Sequence, residues 1–184
     1  IGGFLADNDK VVACFDSALT EEDEAATGGV IGEPASQTIW EGLAILAALR
    51  LFQQKAAWKD GECARVRVRS DSKGALGAAI KLASKDPRLN TIGRELAFDR
   101  ATEQYRVEVH EHTPGVTNKT PDWLSRVAAP GRKASDELPR ILRGVQRLKC
   151  EARTAAWWRT RSPPSAPGAA SSKIRLPPGG EVGE

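Results

Sequence analysis

Residues 66–79, VRVRSDSKGALGAA, change their period in mid-run. Val66 and Val68 alternate with Arg65, Arg67 and Arg69, the two-residue repeat of a strand with one buried face. Ser70-Asp71-Ser72 interrupts the alternation, and Ala75, Leu76, Ala78, Ala79, Ile80 and Leu82 then follow helical spacing. Such a junction requires a sheet to receive the valines and a helix to cover them, so the fold class is α/β. A carboxylate at the end of a strand, just before a helix, stands where open α/β sheets carry their chemistry. Asp71 or Ser72 can equally serve as the N-cap of the helix, and the two roles are compatible.

The flanking chain supplies the other layers. Residues 1–5 and 11–15 read as a strand hairpin turning at Ala6-Asp7-Asn8-Asp9-Lys10. Residues 21–29 are acidic and then glycine-rich, the pattern of a loop. Ser36 or Thr38 heads a long helix through about Ala57, stopped by Asp60-Gly61. Its apolar positions cover most of its circumference, so it packs deeply, against a sheet. Asp86-Pro87 starts a further helix through Ala101, and Tyr105 to Val109 alternate as a strand. HTPGVTN at 112–118 is a Gly/Pro loop, and Thr120-Pro121 opens a last helix with Trp123, Leu124 and Val127. Leu138, Ile141, Leu142, Val145 and Leu148 are spaced as the apolar stripe of a basic amphipathic helix over 138–158. From Ser162 onward Pro, Gly, Ser and Ala dominate, and a disordered tail is expected.

Charge is unevenly distributed. The chain of 184 residues carries a net +3, yet residues 132–161 hold nine Lys/Arg against three Asp/Glu. That segment suits a polyanion, or docks through its stripe on the domain or on a neighbouring module. Cys14, Cys63 and Cys150 form no CxxC pair, so neither a cysteine zinc site nor a disulfide framework is indicated, and a reducing, cytoplasmic or nuclear compartment fits. No apolar run reaches membrane-spanning length, and no membrane partner is expected. The start at Ile1 and the absence of any Met lead to the expectation of a fragment.

Two more carboxylates stand beside Asp71 as candidates. Glu41 lies in the first turn of the long helix, on a face continued by Ala44, Ile45 and Ala48. There it either complements the helix dipole or needs a partner on an apolar face. Asp122 lies in the first turn of the last helix, with Thr120 as cap and Pro121 at the first helical position, again favoured by the dipole. His112 precedes that helix as a loop hydrogen-bonder or a functional group.

HTPGVTNKTPDWLSR at 112–126 resembles the H-x-P-G-x-x-N-x-x-x-D-x-L-S-R signature that closes the RNase H domain of retroelement reverse transcriptases. WEGLAILAALRLF at 40–52 is similar to the helix that bears that family's Glu, and VRVRSDSKGAL at 66–76 to its strand-Asp-helix segment. The three stand in the family's order, and the resemblance as a whole covers about residues 1–128.

The resemblance implies an RNase H-like mixed sheet with flanking helices and a site of four carboxylates binding two Mg²⁺ or Mn²⁺. Glu41, Asp71 and Asp122 match three of them, and His112 matches the His that acts near the attacking water or in product release. Hard divalent cations take oxygen ligands, and a pair of them can activate a water and stabilise the leaving 3′ oxygen of a phosphodiester. His110 is the second candidate for the histidine's role, behind His112, because it precedes the Pro-Gly loop by one strand step too many. The family's first Asp has no counterpart: Asp7, Asp9 and Asp16 lie in or after the hairpin, and its first, central strand is expected before Ile1. The implied activity is endonucleolytic cleavage of the RNA strand of RNA–DNA hybrids, with adjacent reverse transcriptase domains as partners. The chain as it stands is then inactive, or is a degenerate, non-catalytic RNase H-like scaffold or nucleic-acid-binding module. The expected organisation is an RNase H-like domain at 1–130, a basic helical segment at 131–161 and the tail from 162 to 184.

Overall fold

The structure is a computed structural model that describes residues 1–53, 64–102, 105–127 and 137–160. The hairpin forms as β1 (Gly2–Asp7) and β2 (Lys10–Asp16), antiparallel, with Asn8 and Asp9 at positive φ in the turn. Asn and Asp tolerate that region better than other side chains. The long helix is α2 (Gln37–Gln53), entered through a 3-10 turn at Pro34–Ser36. Neither expected cap acts as one: the Ser36 hydroxyl accepts from the Val30 amide instead. β3 (Ala64–Ser70), α3 (Lys73–Lys81), α4 (Pro87–Thr102), β4 (Tyr105–His112) and α5 (Lys119–Ser125) follow in the expected order. The expected helix end near Ala57, the stop at Asp60-Gly61 and the tail from Ser162 lie outside the described residues.

Two expectations are corrected. Residues 21–29 are not a loop: α1 (Glu21–Thr27) forms there. Thr20 and Asp23 make a reciprocal capping box, four acidic residues occupy the first turn where the dipole favours them, and Gly28 closes the end at φ 74°. The helix expected over 138–158 does not form either. Pro139 precedes a single 3-10 turn at Arg140–Leu142, Gly144 turns at φ 73°, and β5 (Gln146–Lys149) runs parallel to β2. A helix would leave its other faces in water. The turn and strand instead bury Leu142, and Leu148 packs beside Phe15, while Leu138 and Ile141 remain exposed.

The α/β class is thus realised as two sheets among the described residues, β1-β2-β5 and the parallel pair β3-β4. α2 lies between their cores. Ile39, Trp40, Leu43, Leu46 and Leu49 face α3, α4 and Trp158. Ala47, Leu51 and Phe52 face Ala13 and Phe15 of β2, with Phe15 and Phe52 in edge contact at 5.7 Å. Two opposite contacts explain why α2 is apolar around most of its circumference. On the other face of β2, Val11 and Cys14 meet Leu124 of α5 and Leu142. Gly2 is required here, because a Cβ would stand 2.6 Å from that of Leu124.

Candidate functional site

β3 delivers Asp71 to the carboxyl end of a parallel strand pair. The Ser70 hydroxyl accepts from the Ser72 amide at 3.1 Å, which bends the chain. Ser72 then caps α3 by accepting from the Ala75 amide at 3.2 Å. Capping therefore falls to Ser72 and leaves the Asp71 carboxylate out of it. From the neighbouring strand, the Thr113 amide donates to the Ser70 carbonyl at 2.9 Å and His112 Nε2 lies 3.1 Å from the Asp71 carbonyl oxygen. A Cβ on Gly115 would stand 3.6 Å from Asp71 Oδ2, so the carboxylate lies against the turn that follows His112. That carboxylate is half-buried and has no hydrogen bond or ion pair with any described residue. Asp16, Asp23, Asp86, Glu95, Asp99, Glu108, Glu111 and Asp122 all pair with an arginine.

Glu41 sits half-buried on α2 and accepts from Gln37 Nε2 at 3.2 Å. Thr38, three residues earlier and on the same face, abuts α3: a Cβ on Gly74 would stand 2.7 Å from Thr38 Cγ2. The helix of Glu41 thus packs on the helix that Asp71 introduces. Asp122 is differently placed. α5 begins at Lys119 rather than at Pro121, its N-cap Asn118 makes no side-chain cap bond, and Asp122 stays in the first turn. The Asp122 carboxylate is exposed and bridges to Arg126, one turn on, at 2.8 Å.

Oxygen donors of this kind suit Mg²⁺ or Mn²⁺, but their placement does not. Among the described residues no three His, Cys, Asp or Glu side chains are grouped closely enough to hold a metal ion, Glu41, Asp71 and Asp122 included. The structure brings His112 and the 113–118 turn onto Asp71, and α2 against α3. It leaves Asp122 on its own arginine.

Sequence reasoning missed the buried charges. Arg50 of α2 reaches Asp99 Oδ2 and Glu95 Oε2, both at 2.6 Å, and donates to the Trp157 carbonyl. Its guanidinium also lies 4.3 Å from the Trp157 ring centre. Burial alone would lower its pKa, and the two carboxylates outweigh that, holding it above the ordinary value. Burial would likewise raise Glu95, but hydrogen bonds from Thr160 and Arg50 hold its carboxyl below the usual range. The available signal was an arginine inside a helix apolar all round, with Glu95 and Asp99 four residues apart on α4. These groups fasten residues 157–160 to the helices and are structural.

No family model, curated protein or solved structure matches this chain. Among the described residues, no helix is long and apolar enough to cross a membrane.

Proposed function

We propose that the chain is the RNase H-type module of a retroelement reverse transcriptase polyprotein, of the kind that cleaves the RNA strand of RNA–DNA hybrids, and that it is inactive without the family's first Asp and central strand. One observation supports this above others: the unpartnered Asp71 carboxylate at the end of β3, which lies against the Pro-Gly turn while His112 Nε2 meets the Asp71 backbone carbonyl. A strand-end carboxylate that no arginine neutralises keeps its oxygens available to a ligand. The reading requires Glu41, Asp71 and Asp122 to close on Mg²⁺ or Mn²⁺, and Asp122 to leave Arg126. A second reading, a non-catalytic hybrid-binding module, is favoured by the ion pair of Asp122 with Arg126 and by the absence of a metal-sized group among the described residues.

Incubation with a labelled hybrid and either ion separates the two. The endonuclease reading expects no cleavage by the chain as it stands and RNA cleavage once a strand bearing the family's first Asp is added ahead of Ile1, a cleavage that Asp71→Asn abolishes while the melting temperature, read without metal, stays unchanged. Hybrid binding with no cleavage by the extended chain at any metal concentration establishes the second reading, and neither binding nor cleavage overturns both.

A further inference from the structure

Asp71 ends a strand whose open face is a row of arginines. Arg65, Arg67 and Arg69 lie on one side of β3, and all are exposed, while Val66 and Val68 turn inward onto the helical core. The register of β4 sets Arg106 opposite Arg65 and adds Glu108 and Glu111 to the same exposed face. Both glutamates are engaged, Glu108 by Arg65 at 3.4 Å and Glu111 by Arg69 at 2.9 Å. Arg67 and Arg106 have no ion pair among the described residues, and the face keeps two unneutralised positive charges.

The placement of Arg106 works against the fold. It sets a second guanidinium beside Arg65, whose partner Glu108 neutralises only one of the two, and nothing in the packing of Val66, Val68 and Val107 beneath requires an arginine on the outer face. A polyanion would remove that repulsion. Three alternate positions span about 13 Å along a strand, against about 3.4 Å of axial rise per phosphate in a nucleic-acid strand. The two free charges, Arg106 beside Arg65 and Arg67 one alternate position on, are about 7 Å apart along the strand, the spacing of two consecutive steps of a phosphate backbone.

We propose that the open face of β3 and β4 is the docking surface for a nucleic-acid phosphate backbone, with Arg67 and Arg106 as its free phosphate contacts. The choice of an RNA–DNA hybrid as occupant rests on the function proposed above; the assignment of the surface rests on its charge.

The test is binding of the full chain, in the presence of a chelator so that no cleavage intervenes, to a fluorescent RNA–DNA hybrid and to a DNA duplex of the same sequence. Salt is varied from 50 to 200 mM. Each phosphate contact adds about 0.9 to the slope of log affinity against log salt, so Arg67→Gln with Arg106→Gln should reduce the slope by about 2. Over that salt range the wild type then loses about tenfold more affinity than the variant. Lys10→Gln with Arg100→Gln removes the same charge from exposed positions elsewhere and should leave the slope unchanged. Arg67→Gln alone, with a loss of about 1, covers the case in which the double variant does not fold.

Equal slopes for the wild type and the Arg67/Arg106 variant overturn the surface, as does displacement of the hybrid by poly-glutamate at equal charge, which would mark a general anion face. A reduced slope with hybrid and DNA duplex bound alike supports the surface and counts against the RNase H reading, which the Asp71→Asn cleavage assay judges separately.

Discussion

Arg153 gives up almost all contact with water to reach Asp23. Its Nε and one terminal nitrogen each donate to that carboxylate at 2.8 Å, and the other terminal nitrogen donates to the Ser17 hydroxyl at 2.8 Å. Burial alone would lower its pKa, and Asp23 more than offsets this, leaving it raised. Removing one member of such a pair strands the other charge in a dry site, at a cost of about 3–5 kcal/mol. Arg153→Met is expected to lose stability on that scale in urea titration. Adding Asp23→Asn, which neutralises the stranded charge, should make the double variant more stable than Arg153→Met alone. His110 has the opposite problem. Its ring lies on the inward side of β4, Nε2 is buried without a hydrogen-bond partner among the described residues, and burial holds its pKa below the ordinary 6.5. Above that value the ring is neutral in both states and contributes no pH dependence. As pH falls below 6.5 the unfolded chain takes up a proton that the folded chain refuses, so stability falls with pH until the depressed pKa is reached. His110→Leu should flatten that part of a stability–pH curve measured by denaturant midpoint.

Among the elements, residues 137–160 departed furthest from their sequence pattern. Their apolar stripe fits a helix, but Gly144 sits at φ 73° with nothing within 4 Å of where its Cβ would be. Any other side chain there is strained by the backbone alone, so Gly144→Ala is expected to cost about 1–2 kcal/mol without a packing change. An unchanged denaturation midpoint would mean that the turn tolerates another conformation. Half of the segment's six described basic residues are held in ion pairs, Arg147 with Asp16, Arg153 with Asp23 and Arg159 with Asp99. Docking on the domain, by a turn and a strand rather than a helix, is what the segment does here. Arg140, Arg143 and Lys149 remain exposed.

At the scale of the whole molecule, α2 and residues 137–160 connect the two sheets. Trp158 is buried in the core that α2 shares with α3 and α4, while Leu148 packs on the β2 side. Ending the chain after Ser135 would expose both surfaces, strand the Asp23 charge and remove from Arg50 its Trp157 contacts. Such a chain is expected to lose cooperative thermal unfolding and to bind a hydrophobic dye, read by calorimetry and fluorescence. A sharp transition in the shortened chain would show the segment to be dispensable.

What the sequence determined by itself was local. The valine–arginine alternation into Ser70-Asp71-Ser72, the hairpin turn at Asn8-Asp9 and the apolar circumference of α2 each depend on a few neighbouring residues, and each appears where its spacing placed it. Asp71 as a strand-end carboxylate was legible for the same reason. The acidic run at 21–27 was misread although its signals are local: Thr20 and Asp23 form the capping box and Gly28 ends the helix. The stripe at 138–148 was misread because periodicity records which side chains seek burial, not whether a neighbouring strand edge is open to receive the backbone. β2 offered that edge, and only the tertiary structure could show it. Distances between Glu41, Asp71 and Asp122 belong to the same class: each carboxylate is set by its own element, but their grouping depends on how separate elements pack, which no spacing along the chain encodes.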